Sequence, residues 1–341
     1  MERPIVLNIK KLGDKNKFNA LKKSGVQIVD FFDEQIKELA VVDNPSLLKN
    51  PAAIPTGRFK DFWIYLPWKN VLVHLLEASD YRRLRLSRNR DLILAKEQKR
   101  LEKSVIGIAG LNVGNPAAIC MALEGIGRLY KFADNDALSV SNLNRFRAGI
   151  GELGLNKAAL SARQVYEIDP FVKIKVFEKG VLPGLAEKFL LDPKIDVLVE
   201  EMDHLPLKIE IREKARANRI PVVMVTGNGE NVIIDVERFD LEPNLSLMSG
   251  YLKPAIIKSI RRGGWDFGGK IKIARDFMGA KYLTKRLRIS FEKVGKTLAG
   301  IPQLAESSFL RGAAVCYIAR RILTGEKTPS GRYYLKLDDI I

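Results

Sequence analysis

Two cysteines and two histidines are all that this 341-residue chain offers to soft-metal chemistry. Cys120 in NPAAICMALEGIG and Cys316 in GAAVCYIARRIL sit in apolar helical patterns, which suits buried, inert thiols. No CxxC pair occurs, so a cysteine-held zinc is excluded, and His74 and His204 are too far apart in sequence to suggest a histidine-rich site. No run of about 18 uncharged apolar residues exists, so no membrane span is expected. The opening stretch MERPIVLNIKKLGDKNKFNALKKSG lacks the apolar centre of a signal peptide, and a cytoplasmic location is expected. Missing too is the full three-glycine dinucleotide fingerprint: the segment AGLNVGN supplies only Gly110 and Gly114.

Positive charge, by contrast, is abundant. The net charge is +17, and residues 253–296 carry thirteen Lys or Arg against three acids, with aromatics between them. Such an excess favours polyanionic partners: nucleotides, RNA or an acidic protein. Apolar residues make up 46% of the chain, enough for a sizeable core.

The chain reads as four stretches. Residues 1–75 form a small α+β extension of unknown role, in which GVQIVDFFDEQIKELAVVDNP gives a strand and an amphipathic helix stopped by Asn44-Pro45. Residues 76–104 are a basic, mostly helical connector. Over 105–245 short apolar strands alternate with helices: SVIGIAG, RLYKFADND, FVKIKVF, IDVLVEE and IPVVMVT are the strands. The first helix carries Pro116, placed in its first turn. Nearly unbroken apolar strands in such alternation predict a doubly wound, mostly parallel sheet with helices on both faces. NVIIDVERF adds an antiparallel strand. Residues 246–341 are basic, then give one clear helix and a closing strand.

In such a sheet ligands gather at the carboxyl ends of the strands. The loop holding Gly110, Asn112 and Gly114 precedes a helix, where backbone N–H groups and a positive helix end suit a phosphate. Asp134 and Asp136 end the second strand, where an acid receives ribose hydroxyls. Asn142, Arg145 and Lys157 follow; a triphosphate needs cations that a nicotinamide dinucleotide does not. The fourth strand ends in EEMDH, from which Asp203 is placed to hold Mg²⁺ or to cap the next helix.

These segments together resemble the ThiF/MoeB/HesA family, bacterial relatives of ubiquitin-activating enzymes. SNLNR is similar to the family's S-N-L-(Q/N)-R, in register with DND upstream and GLNK downstream, and RLSRN is similar to an R-x-(S/N)-R segment. The resemblance covers about residues 85–235. It implies a Rossmann-like fold and a homodimer that uses ATP and Mg²⁺ to adenylate the C-terminal carboxylate of a small ubiquitin-like or sulfur-carrier protein; no zinc is expected, because the family's paired CxxC zinc motifs are missing here. Asp134 would bind ribose; Asn142, Arg145 and Lys157 the phosphates; Asp203 the metal; and Arg88 would reach the partner subunit's site. The sequence departs from the family in its glycine loop, in EEMDH where T-D-N is usual, and in having no cysteine at residues 225–260 for a thioester. The alternatives are a tRNA-modifying cyclase of the same family, an NAD-binding oxidoreductase and a nucleotide-binding scaffold without turnover.

Overall fold

The computed structural model describes residues 2–49, 59–279, 282–337 and 339. The chain divides into two units. One comprises residues 1–99 with 123–125 and 163–172; the other comprises 100–122, 126–162 and 173–341.

The first unit opens with β1 (Ile5–Leu7), α1 (Leu12–Lys23), β2 (Gln27–Asp30) and α2 (Phe32–Asp43), and continues with β3 (Asp61–Leu66), β4 (Val71–Leu76), α3 (Ala78–Arg85) and α4 (Ala95–Leu101). Its four-stranded sheet runs β1-β3-β4-β2, with β2 parallel to β4 and the other pairs antiparallel. The strand and the helix stopped at Asn44-Pro45 are where the sequence places them; the Asn44 side chain accepts the Ser46 N–H. Residues 50–58 of the extension lie outside the described residues. His74 is explained by packing: its ring stacks between Phe32 and Trp63 at 4.2 and 4.3 Å, and its nitrogens meet Asp30 and Asp61.

The second unit holds β5 (Val105–Ala109), α5 (Leu111–Leu123) except Leu123, β6 (Leu129–Ala133), the first half of α6 (Lys157–Ile168), whose residues 163–168 fall in the first unit, β7 (Lys173–Phe177), α7 (Ala186–Leu191), β8 (Val197–Glu200), α8 (Leu205–Ala217) and β9 (Val222–Asn228). Then come β10 (Asn231–Glu237), α9 (Pro254–Arg262), α10 (Phe267–Met278), α11 (Lys285–Lys293), α12 (Ala305–Thr324) and β11 (Gly331–Leu335). The seven-stranded sheet runs β11-β10-β9-β8-β5-β6-β7. Strands β9 to β7 of that order are parallel; β10 pairs antiparallel with β9, to which a direct turn back joins it, and with β11, which arrives only after α9–α12. Every residue of β5 and β6 is buried, the mark of strands covered on both faces.

One local expectation is corrected. Pro116 lies inside α5, not in its first turn, because the helix begins directly at Leu111. The proline is used for close packing: a Cβ on Gly312 of α12 would meet Pro116 Cβ at 2.5 Å. The order of strands also locates a site. After β5 the chain moves outward to β6 and β7, then crosses to β8 and β9 on the other side. The crevice above the carboxyl ends of β5 and β8 is the switch point where doubly wound sheets bind ligands.

No helix among the described residues is long and apolar enough to cross a membrane.

Candidate functional site

Two cavities of the second unit open at that switch point. The smaller, about 360 Å³, is lined by Gly110, Asn112, Asp134, Asp136, Lys179 and Asp203, among others. The larger, about 530 Å³, is lined by Arg145, Glu201, Asp203, Lys208, Arg311 and many apolar side chains. Glu201, Met202 and Asp203 line both, so the cavities meet along the end of β8.

The glycine loop is shaped by its neighbours. Gly110 has φ +91°, and a Cβ there would lie 2.4 Å from the Glu201 carbonyl oxygen, so only glycine fits. Gly114 lets α5 press on β5, since its Cβ would meet Ile108 Cγ2 at 2.5 Å. Asp134, at the end of β6, accepts the Leu111 N–H at 2.5 Å and the Asp136 N–H at 2.8 Å, one on each oxygen. It thus fixes the loop while leaving lone pairs toward the cavity. Burial pushes its carboxyl above the usual range, against the pull of those two N–H groups. The first-turn N–H groups of Asn112 and Val113 have no acceptor within the helix. The enclosed Asn112 Oδ1 makes no hydrogen bond.

The cations are less free than the sequence suggests. Lys157 is buried, with its Nζ 3.0 Å from Asp136 Oδ2. Arg145 donates from Nη1 to the Ser141 carbonyl at 2.9 Å and Asn144 Oδ1 at 2.7 Å, while its enclosed Nε has no partner. Burial lowers the Arg145 pKa and the field of Asp203, which lines the same cavity, acts in the opposite direction. Asn142 is turned to local structure: its Oδ1 accepts the Ser139 N–H and hydroxyl, and it lines neither cavity. Arg88 belongs to the first unit, exposed in a short turn at Ser87–Asn89.

Asp203 is the hub. Desolvation of its carboxyl pushes its pKa up; Lys208 and Lys157 pull it down, and Glu200 and Asp136 push it further. Asp134, Asp136 and Asp203 line the smaller cavity, Lys157 is bound to Asp136, and Arg145 lines the larger cavity that Asp203 also borders.

Two further residues join the site: Glu201, one of the acids of EEMDH to which the sequence assigns no separate role, and Arg311, which the sequence does not single out. Glu201 accepts the Val225 N–H at 2.7 Å, and burial raises its carboxyl to about 8. Arg311, buried on α12, donates to the Ser307 carbonyl and to Gln303 Oε1, both at 3.2 Å, and feels the charges of Glu201 and Arg145. The signal for Arg311 was a lone cation on the apolar face of a helix. Behind Glu201, the neighbouring Glu200 is fully buried and bonded to Lys208 and Arg212, and Arg212 also bonds Glu237 at 2.7 Å.

Residues 86–234, which supply most of this crevice, match the ThiF family. The chain carries a ThiF-family domain. Its relatives include the uncharacterized protein MT1398 of Mycobacterium tuberculosis, 34% identical over 90% of this chain and 41% of that protein. The ThiF-family match thus lies in a chain that spans about two fifths of this relative's length. Also similar are the Escherichia coli tRNA threonylcarbamoyladenosine dehydratase, 30% identical over 38% of this chain and 47% of that one, and the E. coli sulfur carrier protein ThiS adenylyltransferase, 28% identical over 41% and 55%. Among solved structures, E. coli TcdA with AMP has a TM-score of 0.54 at 18% identity, covering 74% of this chain and 98% of that one. E. coli MccB with ATP has a TM-score of 0.51 at 15% identity, covering 74% and 68%. These structures share the ThiF-type fold.

Proposed function

We propose that this ThiF domain is an ATP-dependent adenylyltransferase that activates a carboxylate. The observation that carries the reading is the junction at Asp203, where a cavity walled by acids and helix N–H groups meets one that holds Arg145 and Arg311. The nucleotide would occupy the smaller cavity. Asp134 would accept a ribose hydroxyl, and the start of α5 and Lys157 would meet phosphate oxygens. Lys157 would exchange Asp136 for a phosphate, one acceptor for another of higher charge.

The carboxylate would enter from the larger cavity, held by Arg145 and Arg311. One of its oxygens forms a bond to the α-phosphorus as the bond to pyrophosphate breaks. The nucleophile is already ionised, so no general base is needed. The chain contributes fixed positive charge where negative charge develops, commonly the largest catalytic contribution. The donors at Asp203, with Asp136 on the same wall, are oxygens only and fit Mg²⁺, which takes one or two carboxylates plus phosphate. Bound there, the ion would offset phosphate charge.

The first candidate for the acyl partner is the C-terminus of a small ubiquitin-like or sulfur-carrier protein, in keeping with the relative that acts on ThiS. The reading includes a homodimer in which Arg88 serves the partner's site. Isotope exchange between pyrophosphate and Mg·ATP tests it: exchange dependent on a carboxylate supports it, and a folded protein that binds no ATP by calorimetry refutes it.

A second reading, an RNA-linked acyl group, has its own support. Lys258, Arg261, Arg262, Lys272, Arg286 and Arg288 are exposed on the outer faces of α9, α10 and α11. Binding of tRNA that falls steeply with salt would favour it; none at low salt would exclude it.

A further inference from the structure

The larger cavity has a wall that nucleotide chemistry does not require. Met224, Met248, Leu252, Ile273 and Phe277 all line it, and all are buried. Ile273 and Phe277 come from one face of α10; Lys270, which also lines the cavity, is exposed at its rim, and Lys272 is exposed and lines neither cavity. Arg145 and Arg311 line the same cavity. A pair of guanidinium groups beside an apolar chamber complements a carboxylate attached to an apolar body.

Met248 is held on this wall against a backbone penalty. It has φ 56°, and Ser249 after it φ 50°, a left-handed region that a non-glycine residue adopts at a cost. Its N–H is fixed by Glu237 Oε1 at 2.7 Å, and Glu237 is in turn fixed by the buried Arg212. Strain of this kind persists where surroundings enforce it, commonly at ligand sites. The four methionines that line the cavity, Met202, Met224, Met248 and Met278, also suit an irregular apolar guest, since their side chains adapt in shape.

We infer that the acyl group taken into this cavity bears, next to its carboxylate, a bulky apolar side chain of leucine, methionine or phenylalanine size, and not glycine. This rests on the adenylation reading, names a substrate class for that site, and sets aside the ubiquitin-like or sulfur-carrier candidate wherever its tail ends in Gly-Gly. A Gly-Gly tail would satisfy the arginines but leave the apolar wall wet. A bulky apolar residue fills the space and displaces that water. Discrimination by such a pocket is worth roughly 10–200-fold in kcat/KM for each methylene-sized difference. The shared chemistry is an apolar α-substituted carboxylate; it can come from a free amino acid or from the last residue of a peptide.

The experiment is pyrophosphate exchange with Mg·ATP and a carboxylate panel: leucine, N-acetyl-leucine, N-acetyl-phenylalanine, N-acetyl-glycine, and short peptides ending in leucine or Gly-Gly. The expected result is kcat/KM at least about tenfold higher for the bulky apolar members. Free leucine against the N-acetylated and peptide forms distinguishes the source. Ala274→Phe fills the chamber from α10 and should erase the preference by raising KM for the bulky substrates, with ATP affinity unchanged. Gly300→Phe is the second variant; Gly300 also lines the cavity, with open space around a Cβ and no positive φ. Glycine-ended substrates that equal or exceed the bulky ones overturn the proposal, as does a preference insensitive to both variants. In a protein that binds ATP, those results leave the adenylation reading standing. No ATP binding by folded protein overturns that reading, and the proposal with it.

Discussion

The smaller cavity and the larger one are built by different means. The smaller is walled by the ends of β5, β6 and β8 and by the loops that follow these strands and β7. Its shape is fixed by backbone: a glycine that tolerates no Cβ and an aspartate that accepts two N–H groups. The larger draws on segments from Val113 to Arg311, with an apolar wall from Met224 of β9, from the segment holding Met248 and Leu252, and from α10. A fold supplies the first kind of site almost by topology. The second kind must be assembled side chain by side chain, and it is where specificity can change without disturbing nucleotide binding.

Breaking the support under the larger cavity should give the greatest effect. Arg212→Met leaves Glu237 buried without its cation and Glu200 with Lys208 alone, and removal of one partner from such a network costs about 3–5 kcal/mol. Denaturant unfolding should show that loss. Next in size, Asp203→Asn removes the charge at the junction. It should lower pyrophosphate exchange roughly 10²–10³-fold with stability unchanged, the scale for one preorganised electrostatic contact. Gly110→Ala acts on the smaller cavity alone. Its left-handed φ and the Glu201 carbonyl should cost about 1–3 kcal/mol in stability and weaken ATP binding, read by thermal shift and calorimetry.

Arg311→Gln acts on the larger cavity alone. It should raise KM for the carboxylate about tenfold or more, the worth of a charged hydrogen bond, while ATP affinity holds. The smallest effect concerns Glu201. Its folded pKa, about 8, lies above that of the unfolded chain, so the native state holds the extra proton. This contribution to stability is present at low pH and declines as pH rises from the unfolded carboxylate range to about 8. Glu201→Gln, which keeps an acceptor for Val225, should flatten that decline in unfolding curves measured across the window.

The same contrast explains what the sequence could tell. Apolar runs such as VIGIA and LYKFA allow little besides buried parallel strands, so the sheet, its antiparallel addition and the C-terminal helix were legible. Asp134 and Asp203 were legible as candidates because strand ends point into the switch-point crevice. The engagement of Lys157 with Asp136, and of Asn142 with Ser139, was not, because charge and spacing do not reveal which partner a side chain takes. Residues 253–296 read as a basic stretch. Their cations dominate the composition, while the inward face of Ile273 and Phe277 emerges only once α10 is placed over the cavity. Arg311 was hidden in a helix that looks like core.

Calorimetric titration of Mg·ATP into the wild type, Asp134→Ala and Arg311→Gln tests the division of labour most directly. The account predicts binding to the wild type, binding of equal strength to Arg311→Gln, and much weaker binding to Asp134→Ala. Absence of binding to the folded wild type, or equal loss in Arg311→Gln and Asp134→Ala, would contradict it.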